Sequence, residues 1–208
     1  MRTPAIPRRV PRAVREQQML DAAVQVFSER GFSAASMDEI AERAGISKPM
    51  VYAYLGSKDE VFVACLHREG TRLMEAIARV VELDLPPDEQ LWRGLRAFFT
   101  FVGAHRAGWS VLYRQARGQA PFAAEVAAMR DRMIEVVAGL LSRPDRGFRG
   151  VDLTAMAYAL VGVAESLADW VVDHPDEDPD LTAARMMNFV WLGADDLLRG
   201  RSWRPPAS

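Results

Sequence analysis

Residues 36–60 read SMDEIAERAGISKPMVYAYLGSKDE, and the fold can be worked out from this stretch. Ser36 with Glu39 three residues on is a capping box: the serine oxygen accepts a free backbone N–H while the glutamate reaches back to the serine N–H. The helix so begun stops at Ala44-Gly45, where glycine lets the backbone take a positive φ. Ile46 offers an apolar residue to pin the turn. Ser47 is placed to cap the next helix, and Pro49 falls in its first turn, where a missing N–H costs nothing. A helix, a tight glycine turn and a second helix of about two turns make a helix-turn-helix.

On the second helix the four-residue spacing turns Val51 and Leu55 inward and leaves Lys48, Met50, Tyr52 and Tyr54 outward. A cation and free N–H groups at a helix start suit phosphate, and tyrosines offer hydroxyls to phosphate oxygens and ring edges to thymine methyls. Tyr52 and Tyr54 also fit a packing role against the first helix. Ser57-Lys58-Asp59-Glu60 repeats the capping box and places Lys58 beside a further helix start, as a second phosphate clamp. Arg43 reads as a solvated cation.

Outward from this stretch, apolar residues recur at three- and four-residue spacing almost everywhere, which predicts an all-α chain of about nine helices. The first runs around Val14–Arg30 and is stopped by Gly31. Two short helices, Met37–Ala44 and Lys48–Leu55, precede a long one from about Lys58 to Glu82. Pro86-Pro87 breaks the chain before a fifth helix opened by Asp88. A short sixth segment lies around Trp109–Arg117. A seventh runs from near Pro121 to before Pro144, an eighth from about Asp152 to Asp173, and a ninth covers Leu181–Arg199. The division expected is a flexible basic arm over 1–12, a DNA-binding domain over 13–60, a larger helical domain over 61–200 and a flexible tail over 201–208.

Charge distribution supports contact with a polyanion at one end. The first fifteen residues carry five arginines and no acid, so with a formal net charge of −2 the remaining 193 hold −7. A basic tail without a partner has the same composition. The single cysteine, Cys65, rules out an internal disulfide framework and fits a reducing compartment. No secretory h-region follows Met1, and the Thr154–Ala164 run falls short of the roughly 20 apolar residues a membrane span needs. A cytoplasmic protein without membrane contact is expected. His67, His105 and His174 fall on separate elements with no ligand spacing, and no phosphate loop or nucleophile elbow appears. No metal, cofactor or enzymatic activity is therefore expected.

Residues 14–60 resemble the DNA-binding domain of the tetracycline-repressor (TetR) family. The features in register are Ala22-Ala23 and Phe27, Gly31-Phe32, Ser36, Ile40-Ala41, Ala44-Gly45-Ile46-Ser47, Val51-Tyr52, Tyr54-Leu55 and Ser57-Lys58. By position, the resemblance makes Ser36, Ser47, Tyr54 and Lys58 phosphate contacts and Lys48, Met50 and Tyr52 base-facing residues. Met50 stands where a small hydroxyl residue is frequent in that family, and Gly56 where proline is frequent.

The larger domain carries a surplus of bulky apolar residues, the usual lining of a small-molecule pocket between helices. Trp92, Phe99, Trp109, Tyr113, Met129, Met133 and Trp170 are the apolar candidates, with Glu165 and His105, then Arg114, as polar contacts. The resemblance places an inducer among helices four to eight. It also makes helices eight and nine a homodimer surface, for which Leu160, Ala164, Leu167, Val171, Met187, Val190, Trp191, Ala194 and Leu198 are candidates. The function expected is a repressor released from palindromic operator DNA by a small lipophilic molecule. A ligand-independent DNA-binding protein, or a small-molecule binder that has lost DNA binding, fits the same residues less fully.

Overall fold

The computed structural model describes residues 11–81, 85–142 and 153–198, with side chains at 81 and 194–198 not among those described. The proposed arm, apart from Pro11 and Arg12, and the proposed tail lie outside the described residues. All regular structure within them is helical: α1 (Arg12–Ala34), α2 (Met37–Arg43), α3 (Lys48–Leu55), α4 (Lys58–Val81), α5 (Pro87–Ala104), α6 (Arg106–Trp109, prolonged by a π-helical turn over Ser110–Gln115), α7 (Ala120–Leu141), α8 (Leu153–Asp173) and α9 (Pro179–Leu198).

Most helix ends follow from local chemistry. Gly31 has φ 77°, ending the regular part of α1. Pro87 begins α5 rather than breaking it, because proline's fixed φ suits a first helical turn. The sixth helix starts earlier than the sequence pattern implies. It passes at Ser110 into wider π-type turns, with the Ala116 N–H bonding to the Val111 carbonyl. An apolar period tuned to 3.6 residues does not announce such a change.

Helices α1–α3 form a small three-helix unit closed around Ile40, Val51 and Phe27, all fully buried. It does not stand apart. α4 packs against α1 on one side and α5 and α7 on the other, so one apolar core runs from Leu20 to Met186. Phe27 and Phe32 from the first unit meet Phe62 of α4 at 5.0 and 4.9 Å, and Phe122 of α7 lies 4.9 Å from Phe32. A buried carboxylate, Glu69 on α4, pairs with Arg68 and Arg72, and Arg68 reaches Asp21 of α1 at 2.8 Å. A Cβ on Gly108 of α6 would stand 2.6 Å from the Glu69 oxygen, so any larger residue there would push this carboxylate aside.

Among the described residues, α8 is long and apolar enough on average to cross a membrane. It carries the ion-paired Glu165 and packs one side, through Ala157, Val161, Ala168 and Val171, against its neighbours α5, α7 and α9. Arg106 ties the end of α8 by donating to the carbonyls of Val171 and Pro175. That pairing places a cation at the negative end of the helix dipole.

Candidate DNA interface and effector cavity

The helix-turn-helix is built as its residues dictate. The Glu39 N–H donates to the Ser36 hydroxyl oxygen at 3.2 Å, and the Ser36 N–H donates to the Glu39 carboxylate at 3.0 Å. Gly45 takes φ 67°, and the Ile46 N–H returns to the Ala41 carbonyl. Val51 is fully buried, so the opposite side of α3 faces outward: Lys48, Met50 and Tyr52 are exposed, Tyr52 by 47%, while Tyr54 is half-buried. Arg12 of α1 lies over the Tyr54 ring at 5.1 Å. Ser47 occupies the cap position but makes no side-chain cap bond, contrary to the sequence expectation; its residue is exposed.

The cations are less free than the sequence implies. Lys48 donates to Asp38 at 2.8 Å. Lys58 is turned back onto α1, where its ammonium donates to the carbonyls of Phe32 (2.8 Å), Ser33 and Ala35 (3.1 Å) and sits over the Phe32 ring. It satisfies the carbonyls that the Gly31 kink leaves open, a cost any helix end must meet. Arg43, expected to be solvated, makes a bidentate pair with Glu29 at 2.6 and 2.7 Å. Gly56 has φ 79°, which proline's ring forbids, and the Ser57–Glu60 box closes directly behind it.

The larger domain holds an apolar cavity of about 350 Å³ between α4, α5, α7, α8 and α9. Of the nine ligand candidates, Tyr113, Met133 and Glu165 line it. The other six do not, each for a packing reason. Phe99 and Trp109 are fully used in the core, where Trp109 stacks on Tyr113 at 3.9 Å and its Nε1 donates to Asp169 at 3.0 Å. Met129 fills the space over Gly70 between α4 and α7. Trp92 and His105 border a shallow depression on the outer side of α5, where His105 stacks on Phe101. Trp170 is exposed and stacks on His174 at 3.5 Å. Arg114, the further polar candidate, forms a fork to Asp173 at 2.7 Å and holds that carboxyl below its usual range.

Four of the dimer candidates, Leu160, Ala164, Val190 and Trp191, line the same cavity. Val171 is fully buried in its own subunit, Leu167 and Met187 are half-buried, and Ala194 and Leu198 fall outside the described side chains. On these two helices the large side chains left exposed are Tyr158 and Trp170 of α8 and Phe189 (75% exposed) and Leu192 (67% exposed) of α9, Phe189 lining the cavity as well.

Sequence reasoning missed the partners of Glu165. This carboxylate, only 9% exposed, accepts from Arg117 at 2.8 Å and Arg130 at 3.2 Å. Burial and the Glu165 charge raise the Tyr113 phenol well above its ordinary range. It missed Gln115 as well: two residues beyond the cavity-lining Tyr113, its amide donates to the Phe27 carbonyl of α1 at 2.7 Å, while its own Oε1 is buried without a partner among the described residues.

Comparison with known proteins gives two family matches in tandem. Residues 19–65 match the bacterial regulatory proteins of the tetR family, and residues 87–193 match the tetracyclin repressor-like C-terminal domain. The HTH-type transcriptional activator FasR of Mycolicibacterium smegmatis is 31% identical over 196 residues, covering 93% of this chain and 89% of that one. The crystal structure of a TetR-like regulator from Rhodococcus sp. RHA1 superposes with a TM-score of 0.77 at 51% identity, over 90% of this chain and 99% of that one. FadR from Bacillus subtilis, solved in complex with stearoyl-CoA, shares the fold at 17% identity and a TM-score of 0.69, over 89% and 99% of the two chains.

Proposed function

This chain belongs to the TetR family of DNA-binding transcription regulators, and on that premise we propose that it is a homodimer whose grip on operator DNA is released by a small lipophilic molecule held in the α4–α9 cavity. The observation that carries the reading is the π-helical turn of α6. Tyr113 in that turn lines the cavity, and Gln115, two residues later, bonds the Phe27 carbonyl of the helix on which the reading unit is built. Occupancy that displaces Tyr113 therefore acts on α1 through one short segment. The stearoyl-CoA bound by the Bacillus subtilis FadR structure is consistent with a lipophilic effector on this fold.

Met50 and Tyr52 are assigned to base edges, and Ser47, Lys48 and Tyr54 to phosphates. Ser36 and Lys58 support the reader by holding α2 and the end of α1, and exchange their internal partners for phosphate only if those bonds open. The uncovered face of α8 and α9 is assigned to a second copy, which would set two reading helices one helical turn of DNA, about 34–36 Å, apart. The activity needs no catalysis, metal or cofactor and belongs in the cytoplasm, where the DNA is. Repression follows where the operator overlaps a promoter; activation, the role in FasR's name, follows where it lies upstream.

The test is fluorescence anisotropy with sites selected from random DNA. The expected result is binding to a palindrome that weakens steeply with salt, by about 10³–10⁵ between 50 and 200 mM for ~6–10 phosphate contacts. Uniform weak binding to every sequence, unchanged in Tyr52→Ala, would remove the reader from the proposal.

A further inference from the structure

The reading unit is short of positive charge where it needs it. Residues 16–60 hold eight acids against four bases, a net of −4, while the fifteen residues before them hold five arginines and no acid. The four bases are committed. Arg30 pairs with Glu39, Arg43 with Glu29 and Lys48 with Asp38, and the Lys58 ammonium donates to carbonyls at the end of α1. An acidic surface repels a polyanion, and binding to a duplex draws much of its strength from cations that displace condensed counterions. The charge that α3 lacks therefore has to come from the arginine-rich end.

The structure fixes where that end meets the reader. α1 begins at Arg12 and packs beside α3. The exposed Arg12 guanidinium stands 5.1 Å over the Tyr54 ring and makes no ion pair with any described residue. Tyr54 lies on the edge of α3 assigned above to phosphates, so Arg12 marks the wall of the major groove. That wall is a single phosphate strand with the minor groove on its other side. Pro11 leads into α1 at φ −54° and ψ 146°, an extended backbone. Pro4 and Pro7 disfavour a helix ahead of it. Eleven extended residues reach roughly 35 Å, and a minor groove about 6 Å wide admits an extended chain but not a helix.

We infer that the segment before α1 is a second DNA-reading element, laid in the minor groove that borders each half-site, with Arg8, Arg9 and Arg12 as its contacts. Arginine suits this groove, because its guanidinium is weakly hydrated and is drawn to the enhanced negative potential of a narrow A·T tract. The N2 amino group of guanine projects into the same groove, so G·C pairs there are disfavoured. The element lets each subunit read bordering pairs beyond the reach of α3. It rests on the operator-binding reading above and adds a second groove to it.

The experiment is anisotropy of the full chain on the selected palindrome, with the pairs bordering each half-site set to A·T, G·C or inosine·cytosine. Inosine lacks the N2 amino group, so its pair keeps the major-groove edge of G·C with the minor-groove edge of A·T. The A·T and inosine sites are expected to bind alike and the G·C site roughly tenfold more weakly. Arg8→Ala/Arg9→Ala/Arg12→Ala should erase that difference. It should also flatten the slope of log affinity against log salt by about 2 or more, at ~0.9 for each phosphate charge no longer neutralised. Lysine at the same three positions should restore the slope. An alanine variant with unchanged slope and unchanged preference would overturn the arm while leaving α3 as the reader. A flattened slope with equal binding to the G·C and inosine sites would overturn the groove assignment. Should native chain and variant both bind the palindrome no better than random DNA, the operator-binding reading fails and this inference falls with it.

Discussion

At the scale of single residues, side chains in the reading unit divide between those that hold it and those left to read. Ser36 belongs to the first group: its hydroxyl completes a reciprocal pair with Glu39, so Ser36→Ala should lower stability by about 1 kcal/mol in a denaturant melt. Tyr52 belongs to the second. It is exposed, so Tyr52→Ala should leave the melting curve in place while weakening operator binding by about tenfold, the order of one base contact. Cys65 does neither. Buried against α1 with its pKa pushed up to about 12 from 9.0, it stays a thiol in the folded chain, whereas the unfolded chain ionises from about pH 9. The folded state therefore binds the extra proton, and the stability due to this group is full below pH 9 and falls as pH rises toward 12. Thiol-reagent labelling at pH 8 should need global unfolding; prompt labelling of the native protein would contradict this burial.

Among the helices, the one that matters most to function is the one sequence periodicity describes least well. The caps of α2 and α4 and the glycine turns were legible because each depends on chemistry within four residues: Ser36 with Glu39, Gly31 and Gly45 at positive φ, Ser57 with Glu60; the Ser47 cap expected for α3 is not made. The length of α8 was legible for the same reason. The π turn of α6 and the Glu165–Arg117–Arg130 group were not. The latter joins residues 48 and 35 positions apart whose meeting is set by packing. Gln115 makes the difference testable. Gln115→Met keeps volume but loses the bond to Phe27, so operator affinity without effector should change little while the response to effector falls several-fold. An unaltered response would move the coupling to the Phe32–Phe62–Phe122 cluster.

Across the whole molecule, one continuous core joins reader and cavity, so the two cannot move independently without breaking packing. Such cores hold discrete arrangements rather than deforming smoothly. A second copy packed on α8 and α9 would bury large side chains these helices leave exposed, Phe189 and Leu192 above all. Phe189→Glu with Leu192→Glu should therefore shift the protein to monomer in light-scattering chromatography and abolish tight palindrome binding; an unchanged dimer would place the interface elsewhere. The central claim is that cavity and reader are coupled. It is tested most directly by the affinity for the selected palindrome, measured by anisotropy with and without a saturating lipophilic probe, stearoyl-CoA first because the fold-sharing FadR structure binds it. The account predicts a loss of about 5- to 150-fold, the range of ~1–3 kcal/mol of coupling. Equal affinity with the cavity empty and filled would contradict it.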